Sequence, residues 1–161
     1  MALDNIVFLD EGKMGSMKTK RCLVASGATT INPGEPVVRV LGAATVTAMA
    51  TNKPVVGTDY VVGVAQSTST QTASAAGYVD VYQLEPGVTY LITPNSATAW
   101  DTQAEYDALV GERVLIDLTA GEYTILASDS ANNGCVIEWI DITRYPGKVA
   151  FSFRQGLSDL S

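Results

Sequence analysis

Residues 59–84, DYVVGVAQSTSTQTASAAGYVDVYQL, decide the fold. Two runs rich in Val and Tyr, VVGVA and YVDVYQL, bracket residues 66–77, QSTSTQTASAAG, which carry no charge and no large apolar side chain. β-branched and aromatic side chains suit a pleated, half-buried surface. The flanks therefore read as strands, and the small polar stretch between them as something other than core.

Working outward, the same kind of run recurs as PVVRVLG, VTYLIT, RVLIDL, EYTILAS, CVIEWIDIT and KVAFSFR. Several alternate with period two, as in Val149, Phe151 and Phe153 against Ala150, Ser152 and Arg154. The punctuation between them is of one kind. Asn32-Pro33-Gly34-Glu35, Glu85-Pro86-Gly87-Val88 and Tyr145-Pro146-Gly147-Lys148 each place Pro-Gly at the centre of a type II turn. Proline presets the first central φ, and glycine tolerates the positive φ of the second. Asn133-Gly134 adds a dipeptide typical of tight hairpins. Short strands at regular spacing predict an all-β fold, an antiparallel sandwich or small barrel.

One helix interrupts the pattern. Thr102-Gln103-Ala104-Glu105 fits a capping box, EYDALV follows, and Gly111 stands where a left-handed cap would end the helix. The spacing predicts a short helix near 102–110 with Ala104, Ala108 and Leu109 facing the sheet. Residues 1–21 read as an extended N-terminal arm ahead of a β-rich domain over 22–161. Within the arm, IVFL at 6–9 is an apolar plug, and EGKMGSMKTKR at 11–21 has neither period. An apolar tag followed by adaptable methionines, Met14 and Met17, suits docking onto another subunit. A fraying tail and a first strand of the domain are the alternative readings.

The 161 residues suit one domain that buries roughly 70% of its unfolded-chain surface. Hydrophobic residues make up 47% of them, which sets the chain apart from disordered sequences. No apolar run approaches the roughly 18 residues of a membrane-spanning helix. The opening MALDNIVFLDEGK lacks the basic start and long apolar run of a secretory signal, so the protein is expected to be made and kept in the cytoplasm. Net charge is −7, unevenly spread: residues 80–141 hold eleven acids against Arg113 alone. Such a chain repels phosphate, which argues against nucleic acid as a partner. The acidic region serves either solubility or a basic partner.

Chemistry is hard to find. With no histidine there is no triad of the usual kind, and neither a GxSxG elbow nor a GxxxxGK[ST] loop occurs. Asp101, Glu105 and Asp107 are acids at a capped helix start, where the dipole favours them without any catalytic role. Asp129-Ser130-Ala131-Asn132-Asn133-Gly134 imitates the start of a calcium loop. Ala131 takes a ligand position, however, and Ile140 stands where the bidentate glutamate belongs, so the stretch reads as a hairpin turn. Cys22 and Cys135 form no CxxC pair and read as two buried thiols, a disulfide between them being the alternative. Trp100, in SATAWDT, reads as an anchor packed on the sheet or as an exposed platform for a sugar. No enzyme activity, cofactor or metal is expected.

Residues 31–91 resemble the capsid decoration, or cement, proteins of tailed bacteriophages. The resemblance rests on PGEPV at 33–37, VGVA at 62–65, the small polar loop at 66–76 and GYVDV at 77–81, with a further glycine turn after them. The later block, AWDTQAEYDALVGERVLIDL through NNGCVIEWIDI and YPGKVAFSFR, is similar to phage head auxiliary proteins. The resemblance implies a β-tulip-like domain and a non-enzymatic virion protein. It would be made in the host cytoplasm and bound to the outer capsid surface as a homotrimer, with the major capsid protein as partner and neither nucleic acid nor membrane bound. It also implies capsid contact through the arm, with Ile6, Phe8, Met14 and Met17, and through the polar loop, with Ser67, Thr68, Ser69 and Thr70. Two alternatives stand beside it. A head-fibre or adhesin module binding a receptor or carbohydrate would cluster exposed aromatics around Trp100, and a tail component would form rings of another symmetry.

Overall fold

The computed structural model describes residues 7–8, 18–50, 53–84, 88–95, 100–119, 121–126 and 129–154. Every run expected as a strand forms one. The elements are β1 (Val7–Phe8), β2 (Thr19–Val24), β3 (Pro36–Val40), β4 (Thr47–Ala48), β5 (Asp59–Ala65) and β6 (Gly77–Gln83). They continue with β7 (Tyr90–Pro94), α1 (Gln103–Leu109), β8 (Arg113–Thr119), β9 (Glu122–Leu126), β10 (Cys135–Glu138) and β11 (Val149–Phe153). Strand β4 was not expected, whereas β1 and β2 fall in the N-terminal segment for which a first strand of the domain was an alternative reading. Thr19, Lys20 and Arg21 pair in register with Tyr82, Val81 and Asp80, so the segment expected as an arm over 1–21 already includes sheet at its end.

The fold is all-β, and of the two architectures expected it contains the small barrel. Strands β7, β11, β10, β8 and β9 pair antiparallel in that order, and a parallel pairing of β9 with β7 closes the ring. β1 pairs antiparallel with β7, Val7 opposite Leu91 and Phe8 opposite Tyr90. A second sheet runs β2-β6-β5-β3-β4. Its two edges meet where Val46 N–H donates to the Leu23 carbonyl at 2.9 Å.

Each sheet encloses its own core. The larger holds Tyr90, Ile116, Tyr123, Ile125 and Phe151 from the barrel, together with Val38, Met49, Val61 and Val64 from the second sheet. The smaller holds Cys22, Val24, Ile31, Val37, Val62 and Val79. Strand β5 therefore has a core on each side, which explains its unbroken apolar run. A bulge opposite Val37 and Val38 switches its faces: Val61 and Val64 join the larger core, Val62 and Ala65 the smaller. Gly63 occupies the switch. A Cβ there would lie 1.8 Å from the Tyr82 carbonyl oxygen, so only glycine fits between β5 and β6.

The helix keeps its expected cap and loses its expected face. Thr102 Oγ1 accepts from Glu105 N–H, the Glu105 carboxylate accepts from Thr102 N–H, and Gly111 has φ +88°. Ala104 and Ala108 are exposed, while Tyr106 is buried and Leu109 half-buried. The large ring, one turn from Gln103, gains far more from burial than two methyl groups. Tyr106 also covers the outer face of β11, which is why Ala150 is buried beside Val149 and Phe151 instead of alternating with them.

The Pro-Gly turns at Gly34 and Gly147 close as expected, with Glu35 N–H donating to Asn32 O and Lys148 N–H to Tyr145 O, both at 3.2 Å. The turn at Gly87 lies outside the described residues. Asn133-Gly134 is not the centre of a hairpin. The turn falls two residues earlier, centred on Ala131-Asn132 with Asn133 N–H donating to Ser130 O, and β9 and β10 are separated in the sheet by β8. Asn133 is held instead by its side chain, whose Nδ2 donates to the Arg113 carbonyl at 3.0 Å.

Candidate functional site

The polar loop at 66–76 is built into the domain. Its first half runs beside β6, Gln66 N–H donating to Asp80 O and Thr70 N–H to Tyr78 O. Ser67 Oγ accepts from Asp80 N–H at 3.1 Å, and Thr70 Oγ1 from Tyr78 N–H at 3.0 Å. Its second half lies on the segment before β3. Ser69 is buried and pairs both ways with Ile31: Ile31 N–H donates to Ser69 Oγ at 2.8 Å, and Ser69 N–H to Ile31 O at 2.9 Å. Gln71 Nε2 donates to the carbonyls of Ala28 and Thr29, and Gly27 N–H to Thr72 O. Small residues are needed because the backbones touch. A Cβ on Gly77 would lie 2.1 Å from Gln71 N. The loop thus closes one end of the smaller core and satisfies main-chain groups that would otherwise be buried without partners.

The residues named from the sequence separate accordingly. Thr68 and Thr70 are exposed, Ser67 is half-buried and Ser69 faces inward. Residues 72–76 add an exposed, uncharged ledge. Phe8 lies in β1, beside Tyr90 in the barrel sheet, whereas Ile6, Met14 and Met17 lie outside the described residues.

Trp100 is only 7% exposed, its ring packed edge-on to Tyr106 at 5.7 Å between centroids. It is the anchor that one sequence reading expected, and no exposed platform forms at its position. With Thr93, Pro94, Asp101, Ile142, Pro146 and Gly147 it lines a mainly apolar cleft of about 330 Å³. The exposed tryptophan is Trp139, which the sequence reading passed over. The signal for it was weak, since it stands in an alternating run whose other members are buried.

Of the acids considered for catalysis, Glu105 and Asp107 hold structure, and Asp101 is exposed beside the cleft. Glu105 closes the helix cap, and Asp107 Oδ1 accepts from Gln103 Nε2 at 2.7 Å and from Trp139 Nε1 at 3.0 Å. Asp129, first residue of the calcium-like stretch, is engaged by Arg113 through its main-chain N–H, Nε and Nη2, at 2.9, 3.0 and 3.0 Å. Those bonds to the guanidinium and amide hold the Asp129 carboxyl below its usual range. Cys22 and Cys135 lie in different cores, both buried and neither in a disulfide. Burial pushes the Cys135 thiol well above its ordinary value. Among the described residues no group of acids and cysteines is disposed to hold a metal ion, and no helix is long and apolar enough to cross a membrane. No family model matches the chain, and no curated protein or solved structure matches it.

Proposed function

We propose that the protein is a non-enzymatic virion component that binds the outer surface of a tailed-phage capsid and stabilises the shell. In this reading it acts as a homotrimer, with the major capsid protein as partner. One observation carries the proposal: the loop at 66–76, the centre of the resemblance to cement proteins, is pinned by main-chain and hydroxyl hydrogen bonds yet offers the uncharged ledge at 72–76 to solvent. A contact surface held in place before docking loses little conformational entropy on binding. Its small side chains let another backbone approach closely. Thr68, Thr70 and the ledge are the loop's share of that surface, while Ser69 supports it from within. A protein that binds only the mature lattice stabilises that lattice by mass action.

The test is copy number in purified virions, measured by quantitative mass spectrometry against the major capsid protein. Near-equal stoichiometry is expected. A handful of copies per particle would point to a fibre or tail component, and complete absence would sink the proposal.

A further inference from the structure

Trp139 is 59% exposed, yet its ring is fixed. The indole N–H donates to Asp107 Oδ1, which also accepts from Gln103 Nε2. Gln103 is itself tied to the chain just beyond the ring: Nε2 donates to Ile140 O and Oε1 accepts from Ile142 N–H, both at 3.1 Å. The end of α1 lies alongside, since Gly111 N–H donates to Ile137 O at 2.9 Å. Val110, 39% exposed, directly precedes Gly111 at this junction. A large, rigid, exposed aromatic held by a hydrogen-bonded frame is the anatomy of an interface anchor.

Charge narrows the occupant. Asp107 touches the ring, Glu112 follows Val110 by two residues, and Asp141 follows Trp139 by two. Arg113 grips Asp129 with two nitrogens, while the Arg144 guanidinium lies 5.5 Å over the Tyr145 ring and also acts on the Asp141 charge, which leaves Asp107 and Glu112 as the acids that count here. We propose that the Trp139 surface docks a basic segment of a partner protein. A lysine or arginine side chain would lie across the ring, with its charged head beside Asp107. The ring face attracts the cation, and the carboxylate reinforces it. A neutral saccharide would use the ring but gain nothing from the surplus of negative charge. This inference rests on the geometry alone and does not require the capsid reading, so virion copy number leaves it unaffected.

The experiment titrates the full chain into a dye-labelled octa-arginine peptide and follows fluorescence anisotropy. Saturable binding is expected, weakened roughly three- to thirtyfold by Trp139→Ala, the span between an exposed and a desolvated cation–π contact. Asp107→Asn keeps an acceptor for the indole and removes the charge. It should weaken binding with the fold intact, so it decides the matter if Trp139→Ala misfolds. Binding unchanged in Asp107→Asn and in a folded Trp139→Ala would reduce the effect to diffuse attraction by the acidic surface and overturn the proposal. So would no binding at all, or a saccharide panel that binds where the peptide does not. Self-association of the protein alone, lost in Trp139→Ala, would make a second copy the occupant and equally overturn it.

Discussion

Tyr106 is the residue on which helix, barrel and solvent chemistry meet. Its hydroxyl donates to Glu138 O at 2.7 Å and accepts from Ala150 N–H at 2.9 Å, so one phenol satisfies main-chain groups on two strands. Burial pushes its pKa from 10.0 up to about 12, the bond from Ala150 opposing the shift. Tyr123 moves the same way, burial acting first and Glu35 second. The sign follows from linkage. An unfolded phenol ionises near 10 while the folded one stays neutral, so this contribution to stability is intact below pH 10 and is lost as pH rises through about 12. Tyr106→Phe should cost about 1–3 kcal/mol at pH 7, because it leaves a buried donor and acceptor unpaired. It should also flatten the loss of stability between pH 10 and 12. Urea melts at pH 7 and pH 11 measure both effects. An unchanged midpoint at pH 7 would mean that water replaces the phenol.

At the scale of elements, the loop at 66–76 and helix α1 differ in how readable they were. The capping box was legible because both partners lie within three residues of each other, and it formed as expected. The helix's inward face was not, because Tyr106 is drawn in by β10 and β11, which follow it in the chain. The loop's composition was legible as non-core, but its task was not. Its partners, Ile31 and Ala28, are 38 and 43 residues away from the side chains that hold them. Ser69→Ala should therefore destabilise by about 1–3 kcal/mol, leaving the Ile31 amide without an acceptor. Thr68→Ala, on the exposed side, should stay within about 0.5 kcal/mol. Hydrogen exchange at the Ile31 amide, together with denaturant midpoints, distinguishes the two. Equal, small effects would show the loop to be dispensable to the fold.

Over the whole molecule, the two cores are coupled through the second sheet. Strand β5 feeds both, Tyr123 Oη donates to Met49 O at 2.8 Å, and Lys53 and Ile116 exchange main-chain bonds at 2.7 and 3.2 Å. The buried Asp59 carboxylate secures the same crossing, accepting from Val55 N–H and pairing with Lys53 Nζ at 3.0 Å. Unfolding should accordingly be one cooperative transition, with fluorescence of Trp100 in the larger core and protection of the Cys22 thiol in the smaller lost at the same denaturant concentration. Two separated transitions would show that the sheets fold independently.

The sequence by itself determined strands β3 and β5 to β11, the Pro-Gly turns at Gly34 and Gly147, the capped helix and the excess of acid. All of these follow from short-range preference or from composition, which a chain expresses before it folds. Only the tertiary structure decided that β9 closes onto β7, that β5 changes faces at Gly63, and that Trp100 is buried while Trp139 is exposed. Each of those outcomes depends on pairing between segments far apart in the chain. Alternation of side chains gives a strand two faces, but the packing of its neighbours decides which of them meets water.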